Sequence, residues 1–495
     1  TDKRFKAPVP LTGWNNIGDL LEQQSLDQDG SDCPSPTAKE SYSEDCLYLN
    51  VYTKDLNTTA QRPVVVFIHP GGLYILSGSS SNFGPEYLLE EDIVLVTFNY
   101  RLAHFGFTSI GSNEATGNAG FKDQVLVLEW VQKYIHQFSG DKDLVTLMGD
   151  SAGALSISLH LVSPMSRNLF HRAFMMSSSL LPQVKIPTEQ KFLIERLAKF
   201  LKCGEKTNAF ECVKSADTQN ITLSLRSMFD FGHDNPIYRW LPVIEPKTKD
   251  EDQFLNQDPF ELLQGGNFHR IPILLSATKH ELASSAMYLF EHGELLKQFL
   301  DNFSRIGPIC LAYEANDTIS ESLKNWYIKH QAYTSVLFDE VRQLISDAII
   351  NFPMQRFAQI VRRFVDVYFM KFNFRGKDSL FKCNSSIDPD LCNALNADNI
   401  VEHGDDIQYL FTSKPGEMIT NHLLNESKIV HRYTRLVYSF AKFGYPYYGP
   451  DINVNQTKYD EKETFVAFSD EFEIDEIPFK HIKIWNQLFK EKRSN

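Results

Sequence analysis
Apolar residues fall in short, nearly unbroken runs along this chain: Val64–Ile68, Ile93–Phe98, Val145–Met148, Ala173–Met176, Ile271–Leu275 and Val365–Phe374. Runs of this length are the signature of strands buried on both faces. Between them the period changes. Over Phe121–Phe138 the apolar positions recur at three- and four-residue spacing, which predicts a helix. Strands alternating with helices imply an α/β chain, with a mostly parallel twisted sheet covered by helices on both faces. In such sheets the reactive site lies at the carboxyl ends of the strands. The stretches 185–262 and 284–360 are polar and helical in pattern and read as insertions capping the sheet. No repeat, low-complexity tract or Pro/Ser-rich linker interrupts the chain, so one domain over 1–495 is expected.

One of the strand-to-helix junctions carries chemistry. Residues 145–153 read Val-Thr-Leu-Met-Gly-Asp-Ser-Ala-Gly, a G-x-S-x-G pattern after a strand run and before a helical one, Ala152 to Leu161. A sharp turn between the two lifts the middle hydroxyl clear of the sheet. Ser151 is therefore the candidate nucleophile. A serine hydroxyl needs a histidine to take its proton and a carboxylate to orient that histidine, in the chain order Ser, acid, His for this kind of sheet.

Among the downstream histidines (His160, His171, His233, His269, His280, His292, His330, His403, His422, His431 and His481), His403 stands apart. It lies in the polar loop Val401-Glu402-His403-Gly404-Asp405-Asp406, where a glycine lets a side chain reach over a pocket. Glu281, a few residues past the run Ile271–Leu275, is well placed as the acid. On residues alone, a structural histidine and a solvated helix-start glutamate stay open for both positions. The oxyanion needs converging N–H groups. Ala152 supplies one, and Gly71 and Gly72, in the turn His69-Pro70-Gly71-Gly72 after Val64–Ile68, supply the others.

Composition narrows the setting. The 495 residues are 42% hydrophobic and 23% charged, and 63 acidic against 49 basic residues leave a formal charge of −14. That balance disfavours nucleic acid and anionic membranes as partners. No apolar run reaches the ~18 residues a membrane span needs. Nothing at Thr1 reads as a leader, the expectation for a chain numbered after processing. Asn57, Asn220, Asn302, Asn316, Asn384, Asn425 and Asn455 each open an Asn-x-Ser/Thr triplet without proline, which favours a secreted glycoprotein. The 7 cysteines agree. By proximity, Cys33 with Cys46, Cys203 with Cys212 and Cys383 with Cys392 would each close a short loop in an oxidising compartment. Cys310 remains, read as a buried thiol. No ligand-spaced Cys/His cluster is present, so no metal or cofactor is expected.

Together these segments resemble the type-B carboxylesterase and cholinesterase family of α/β-hydrolases, insect carboxylesterases in particular. The likeness is carried by Ser43-Glu44-Asp45-Cys46-Leu47-Tyr48-Leu49-Asn50-Val51, by Asn99-Tyr100-Arg101-Leu102, by Gly117-Asn118-Ala119-Gly120-Phe121-Lys122-Asp123-Gln124 and by the serine turn. It runs from about Arg4 to Trp485. The resemblance implies the α/β-hydrolase fold and a serine esterase that cleaves small apolar carboxylic esters through an acyl-enzyme on Ser151. It implies Glu281 and His403 as the rest of the triad, and it supports the Cys33–Cys46 and Cys203–Cys212 bridges. It also implies that some N-terminal strands of a small sheet precede the point where this chain starts.

Several positions depart from the family's pattern. Pro70 takes the first place of a three-glycine turn, while Ile400 and Leu282 stand where glycines are common. Cholinesterases stack the quaternary ammonium on a tryptophan in the first disulfide loop. Pro34 to Asp45 has none, so choline esters are not expected. Juvenile hormone esterases usually carry glutamine before the nucleophile, where this chain has Asp150. That carboxylate either favours a protonated His403 or holds a deacylating water, or it is a pocket-wall residue hydrogen-bonded to backbone. The rival readings are a catalytically weak or inactive cholinesterase-like binding or adhesion domain, and an esterase that sequesters organophosphates or lipophilic ligands. Retention of Ser151, Glu281 and His403 speaks for the active enzyme.

Overall fold
The computed structural model describes residues 3–10, 28–36, 42–204, 207–249, 251–383, 389–395, 397–413 and 425–489. Among these residues nine strands form one sheet: β1 (Leu49–Tyr52), β2 (Arg62–Ile68), β3 (Val94–Phe98), β4 (Gly140–Asp150), β5 (Arg172–Met176), β6 (Ile273–Thr278), β7 (Val367–Phe372), β8 (Thr464–Phe468) and β9 (Phe472–Glu476). Their spatial order is β1-β3-β2-β4-β5-β6-β7-β8-β9. Only the edges, β1 against β3 and β9 against β8, pair antiparallel. The seven strands between are parallel, as their continuous apolar runs require.

Alternate residues feed two cores. Val64, Val66, Val94, Val96 and Leu147 face one layer, which the helices Ala119–Tyr134 and Ala152–His160 cover through Phe121, Val125, Leu128 and Ile157. Val65, Phe67, Leu95, Met148 and Phe174 face the other, covered by the helix Asn425–Phe443 through Ile429, Tyr433 and Leu436. This two-period pattern is the α/β arrangement that the chain's apolar spacing predicts.

The differences from the sequence reading lie at ends and edges. The helical pattern read over Phe121–Phe138 is an α-helix over Ala119–Tyr134 followed by a tighter 3-10 turn at Ile135–Phe138. β6 runs to Thr278, past Leu275, and β7 is confined to Val367–Phe372. Strands β1 and β9 escape the apolar-run criterion because they are half-buried or exposed edge strands, Leu-Asn-Val-Tyr and Phe-Glu-Ile-Asp-Glu. β8, Thr-Phe-Val-Ala-Phe, is apolar and was missed outright. The first insertion is only partly helical, since among the described residues 229–258 carry no helix. The second is helical through most of its length, from Ala283–Glu291 to Phe352–Val361.

All three expected disulfides are formed, and Cys310 is a free, buried thiol. Asn57, Asn220, Asn302, Asn316, Asn425 and Asn455 are exposed. Asn384 lies outside the described residues. Among the described residues no helix is long and apolar enough to cross a membrane.

Candidate active site
β4 is the fourth of the nine strands across the sheet and ends at Asp150. Ser151 then takes φ 53° and ψ −118°, a conformation an L-residue adopts only under constraint. The helix Ala152–His160 starts at once, with Leu155 N–H donating to Ser151 O at 3.0 Å. On its other side Ser151 N–H donates to Met176 O at the end of β5, at 2.8 Å. The glycines of the motif are steric necessities. A Cβ on Gly153 would stand 2.1 Å from the Ile68 carbonyl oxygen, and one on Gly149 2.7 Å from the Gly153 carbonyl carbon. The turn is as tight as the sequence pattern demands.

Glu281 arrives three residues past β6 and is buried. Its carboxylate is fully engaged. One oxygen accepts from Thr278 N–H and from Ser177 Oγ, each at 2.7 Å. The other accepts from His403 Nδ1 at 2.6 Å. This fixes the tautomer: Nδ1 carries the proton, and Nε2 is left free to accept one. His403 keeps 17% of its side chain exposed and Ser151 is half-buried, so both remain reachable from solvent. Leu282 takes φ 54°, the left-handed conformation that glycine adopts most readily. Ile400 is simply a buried core residue.

The strand register brings these groups together. Asp150 pairs with Met176, and Met176 with Ser276. Ser151, Ser177 and the turn leading to Glu281 therefore stand side by side at the carboxyl ends of β4, β5 and β6. The turn after β2 lies at the same end. Gly71 and Gly72 take φ 111° and 59°, held by Tyr74 and Ile75 N–H donating to Gly71 O. Among the described residues, no backbone bond engages the N–H of either glycine. Pro70 has a use beyond stiffness, because its carbonyl accepts from His69 Nδ1 at 2.8 Å. Burial pushes the His69 ring down to about 4, so it stays neutral, stacked on Tyr100. The rings of Tyr74, Phe229 and Trp240 pack against one another beside Gly72.

His403 is surrounded by acid. Burial opposes its charge, but the Glu281 carboxylate and its hydrogen bond, with Asp150 and Glu402 behind them, raise its pKa well above the ordinary imidazole value. Burial in turn raises Asp150 to about 7, with Glu281 adding to the shift and His403 opposing it. Burial likewise raises Glu402 to about 8 and lifts Asp406 well above the carboxylate range. Asp150 and Asp406 each keep one buried oxygen without a partner among the described residues.

Four contributors to this site were invisible in the sequence reading: Ser177, Glu402, Asp406 and Tyr238. The Tyr238 hydroxyl lies 2.8 Å from Ser178 Oγ, next to the Ser177 that bonds Glu281. Only the run Ser177-Ser178-Ser179, directly past a strand end, offered a signal.

The chain's match to known proteins settles the family. The carboxylesterase family's sequence profile matches residues 1–484. The chain belongs to the carboxylesterase family. It is a carboxylic ester hydrolase of the α/β-hydrolase fold. It is 32% identical to the juvenile hormone esterase of Tribolium castaneum, over 93% of this chain and 80% of that one. It is 30% identical to pyrethroid hydrolase Ces2a of Mus musculus, over 90% and 77%. Among solved structures, the juvenile hormone esterase of Manduca sexta with OTFP covalently attached superposes with a TM-score of 0.79 at 23% identity, covering 98% of this chain and 92% of that one.

Proposed function
We propose that this carboxylesterase hydrolyses small apolar esters through an acyl-enzyme on Ser151, with His403 as general base and Glu281 as its orienting acid. Ser151 attacks the ester carbonyl carbon while His403 Nε2 takes the hydroxyl proton. The C–O bond to the alcohol then breaks, and the alcohol leaves with that proton. Water, deprotonated by the same nitrogen, adds to the acyl-enzyme, and the Ser151–acyl bond breaks as Ser151 Oγ takes that proton back from His403, releasing the acid. Gly71, Gly72 and Ala152 hold the oxyanion through their N–H groups. The observation that carries this reading is the 2.6 Å bond from His403 Nδ1 to a buried Glu281, at the same strand ends as the strained Ser151. The unengaged N–H groups of Gly71 and Gly72 support the oxyanion assignment. The aromatic rings beside Gly72 support an apolar acyl or alcohol group.

Asp150 modulates the base in this scheme, since its carboxylate favours the imidazolium that forms during each step. The three disulfides and the exposed sequon asparagines support a secreted, glycosylated protein. The deciding experiment is burst kinetics with p-nitrophenyl butyrate on the wild type and Ser151→Ala. A stoichiometric burst and a loss of about 10⁶ in turnover are expected if the triad acts as a unit. Equal turnover by both proteins would leave a binding domain as the reading.

A further inference from the structure
The loops carrying the acid and the base come from distant parts of the chain, yet they are stitched at four points. His280 N–H donates to Val401 O at 2.9 Å, and Val401 N–H donates back to His280 Nδ1 at 3.0 Å. Ser284 N–H, at the first turn of the helix Ala283–Glu291, donates to Glu402 Oε2 at 2.8 Å. The fourth link is the His403–Glu281 bond itself. In an ordinary reciprocal strand pair both acceptors would be backbone carbonyls. Here an imidazole from the residue just before the acid accepts the N–H two residues before the base.

We propose that His280 is a positioning residue for His403, its neutral ring locking the base loop onto the acid loop. This rests on the reading of His403 as base. Because Val401 N–H is an obligate donor, Nδ1 of His280 must present its lone pair, which requires the neutral ring. The surroundings keep it so. Burial, with the cations Arg342, Lys279 and Lys371, holds the ring at about 3. A protonated His280 would face Val401 N–H with a second donor and open the clamp. Glu402 braces the same loop one residue later, and Asp405 accepts from Glu402 N–H at 2.8 Å and from Leu380 N–H at 2.7 Å. The base is thereby fixed from behind, without any contact between His280 and the reacting atoms.

The test is a three-variant series in the full chain, assayed with p-nitrophenyl butyrate beside Ser151→Ala. His280→Ala and His280→Leu delete the acceptor, and the second keeps bulk. Both are expected to lower kcat by about 10- to 100-fold with KM within about threefold, because ångström-scale misplacement of a base costs about 10². In both, the acid limb of the kcat profile is expected to move to lower pH, since a loosened Glu281 bond no longer raises His403. His280→Asn, whose Oδ1 can accept from Val401, should restore both the rate and the limb. A merely structural role would lower the melting temperature without moving the limb. Unchanged kcat in the Ala and Leu variants, while Ser151→Ala is dead, overturns the clamp and leaves the triad standing. An active Ser151→Ala overturns the triad reading first. If the Ala and Leu variants do not fold, His280→Asn still decides: a wild-type limb supports the clamp, and a displaced one overturns it.

Discussion

Replacing Glu281 by glutamine keeps the side chain's shape and removes its charge, and the surrounding donors allow no good placement of the amide. One oxygen position faces Thr278 N–H and Ser177 Oγ, both at 2.7 Å, while the other faces His403 Nδ1 at 2.6 Å. If the amide oxygen turns to His403, its NH₂ confronts the fixed Thr278 N–H, leaving a buried donor unsatisfied at a cost of about 1–3 kcal/mol. The opposite placement is therefore favoured by about 5- to 150-fold. It points NH₂ at His403, whose Nδ1 must then accept, and the ring proton moves to Nε2. In the proposed mechanism that is the nitrogen that takes the serine proton. In addition the imidazolium loses a charge-assisted hydrogen bond worth about 1.5–3 kcal/mol, or roughly 10- to 150-fold.

Together these give a fall in kcat of about 10²- to 10⁴-fold, equivalent to about 3–5 kcal/mol of barrier. The upper end matches the loss of about 10⁴ typical when a triad carboxylate becomes an amide. The assay is steady-state hydrolysis of p-nitrophenyl butyrate at about pH 8, with thermal melts to show the variant folded. KM should stay within a few-fold, because Glu281 is buried behind His403. A folded variant that keeps kcat within tenfold, or one whose loss sits wholly in KM, would refute the assignment of Glu281.

Other consequences follow from the same geometry. Gly153→Ala forces a methyl against the Ile68 carbonyl, and overpacking of this kind costs about 1–3 kcal/mol. Urea denaturation should show that loss together with reduced turnover, and a variant as stable and active as wild type would sink the steric argument. Asp150→Asn removes a charge that raises His403, so the acid limb of kcat/KM should move to lower pH, with deacylation slowed more than acylation. An unmoved limb, or equal slowing of both steps in pre-steady-state kinetics, counts against Asp150. Glu402, with an ordinary value of 4.5, is held at about 8, so the stability it supports is present below about 4.5 and lost as pH rises through about 8. Glu402→Gln keeps an acceptor for Ser284 and should therefore gain in melting temperature relative to wild type between about pH 5 and pH 9. A difference independent of pH would rule this out. Glycosidase treatment of the protein expressed through a eukaryotic secretory pathway should lower its mass, and no shift would refute the proposed glycan at the exposed sequons.

How much of this was legible in the sequence depended on how local the cause was. The serine turn is marked within five residues. Gly149 and Gly153 are demanded by contacts a few residues away or on the adjacent strand, so the motif and its strand–helix context were enough. The parallel strands announced themselves because burial on both faces leaves them uniformly apolar. Edge strands β1 and β9 carry no such mark, since one face or both meets solvent and their identity comes from the partner strand. Gly71 and Gly72 were readable as a turn, but nothing local revealed that the Pro70 carbonyl serves as the acceptor for His69. Asp406 acts at long range and no spacing rule could have found it, while Ser177 was hinted at only by a serine run just past a strand end.

The same contrast separates the members of the site. Ser151, Ser177 and the Glu281 turn are placed by sheet register: Asp150 opposite Met176, Met176 opposite Ser276. A parallel ladder buried on both faces is rigid, and shifting it by one residue would turn every apolar side chain to the wrong layer. His403 has no such support. It sits on a loop after residue 396, and its position is set by side-chain and backbone links to His280, Ser284 and Glu281. The sequence could offer it only as a histidine beside a glycine, with ten other downstream histidines in competition. It follows that substitutions far from the site should impair the proposed base, His403, more readily than the proposed nucleophile, Ser151. In this fold the sheet secures the serine, whereas the histidine depends on a few hydrogen bonds between two loops.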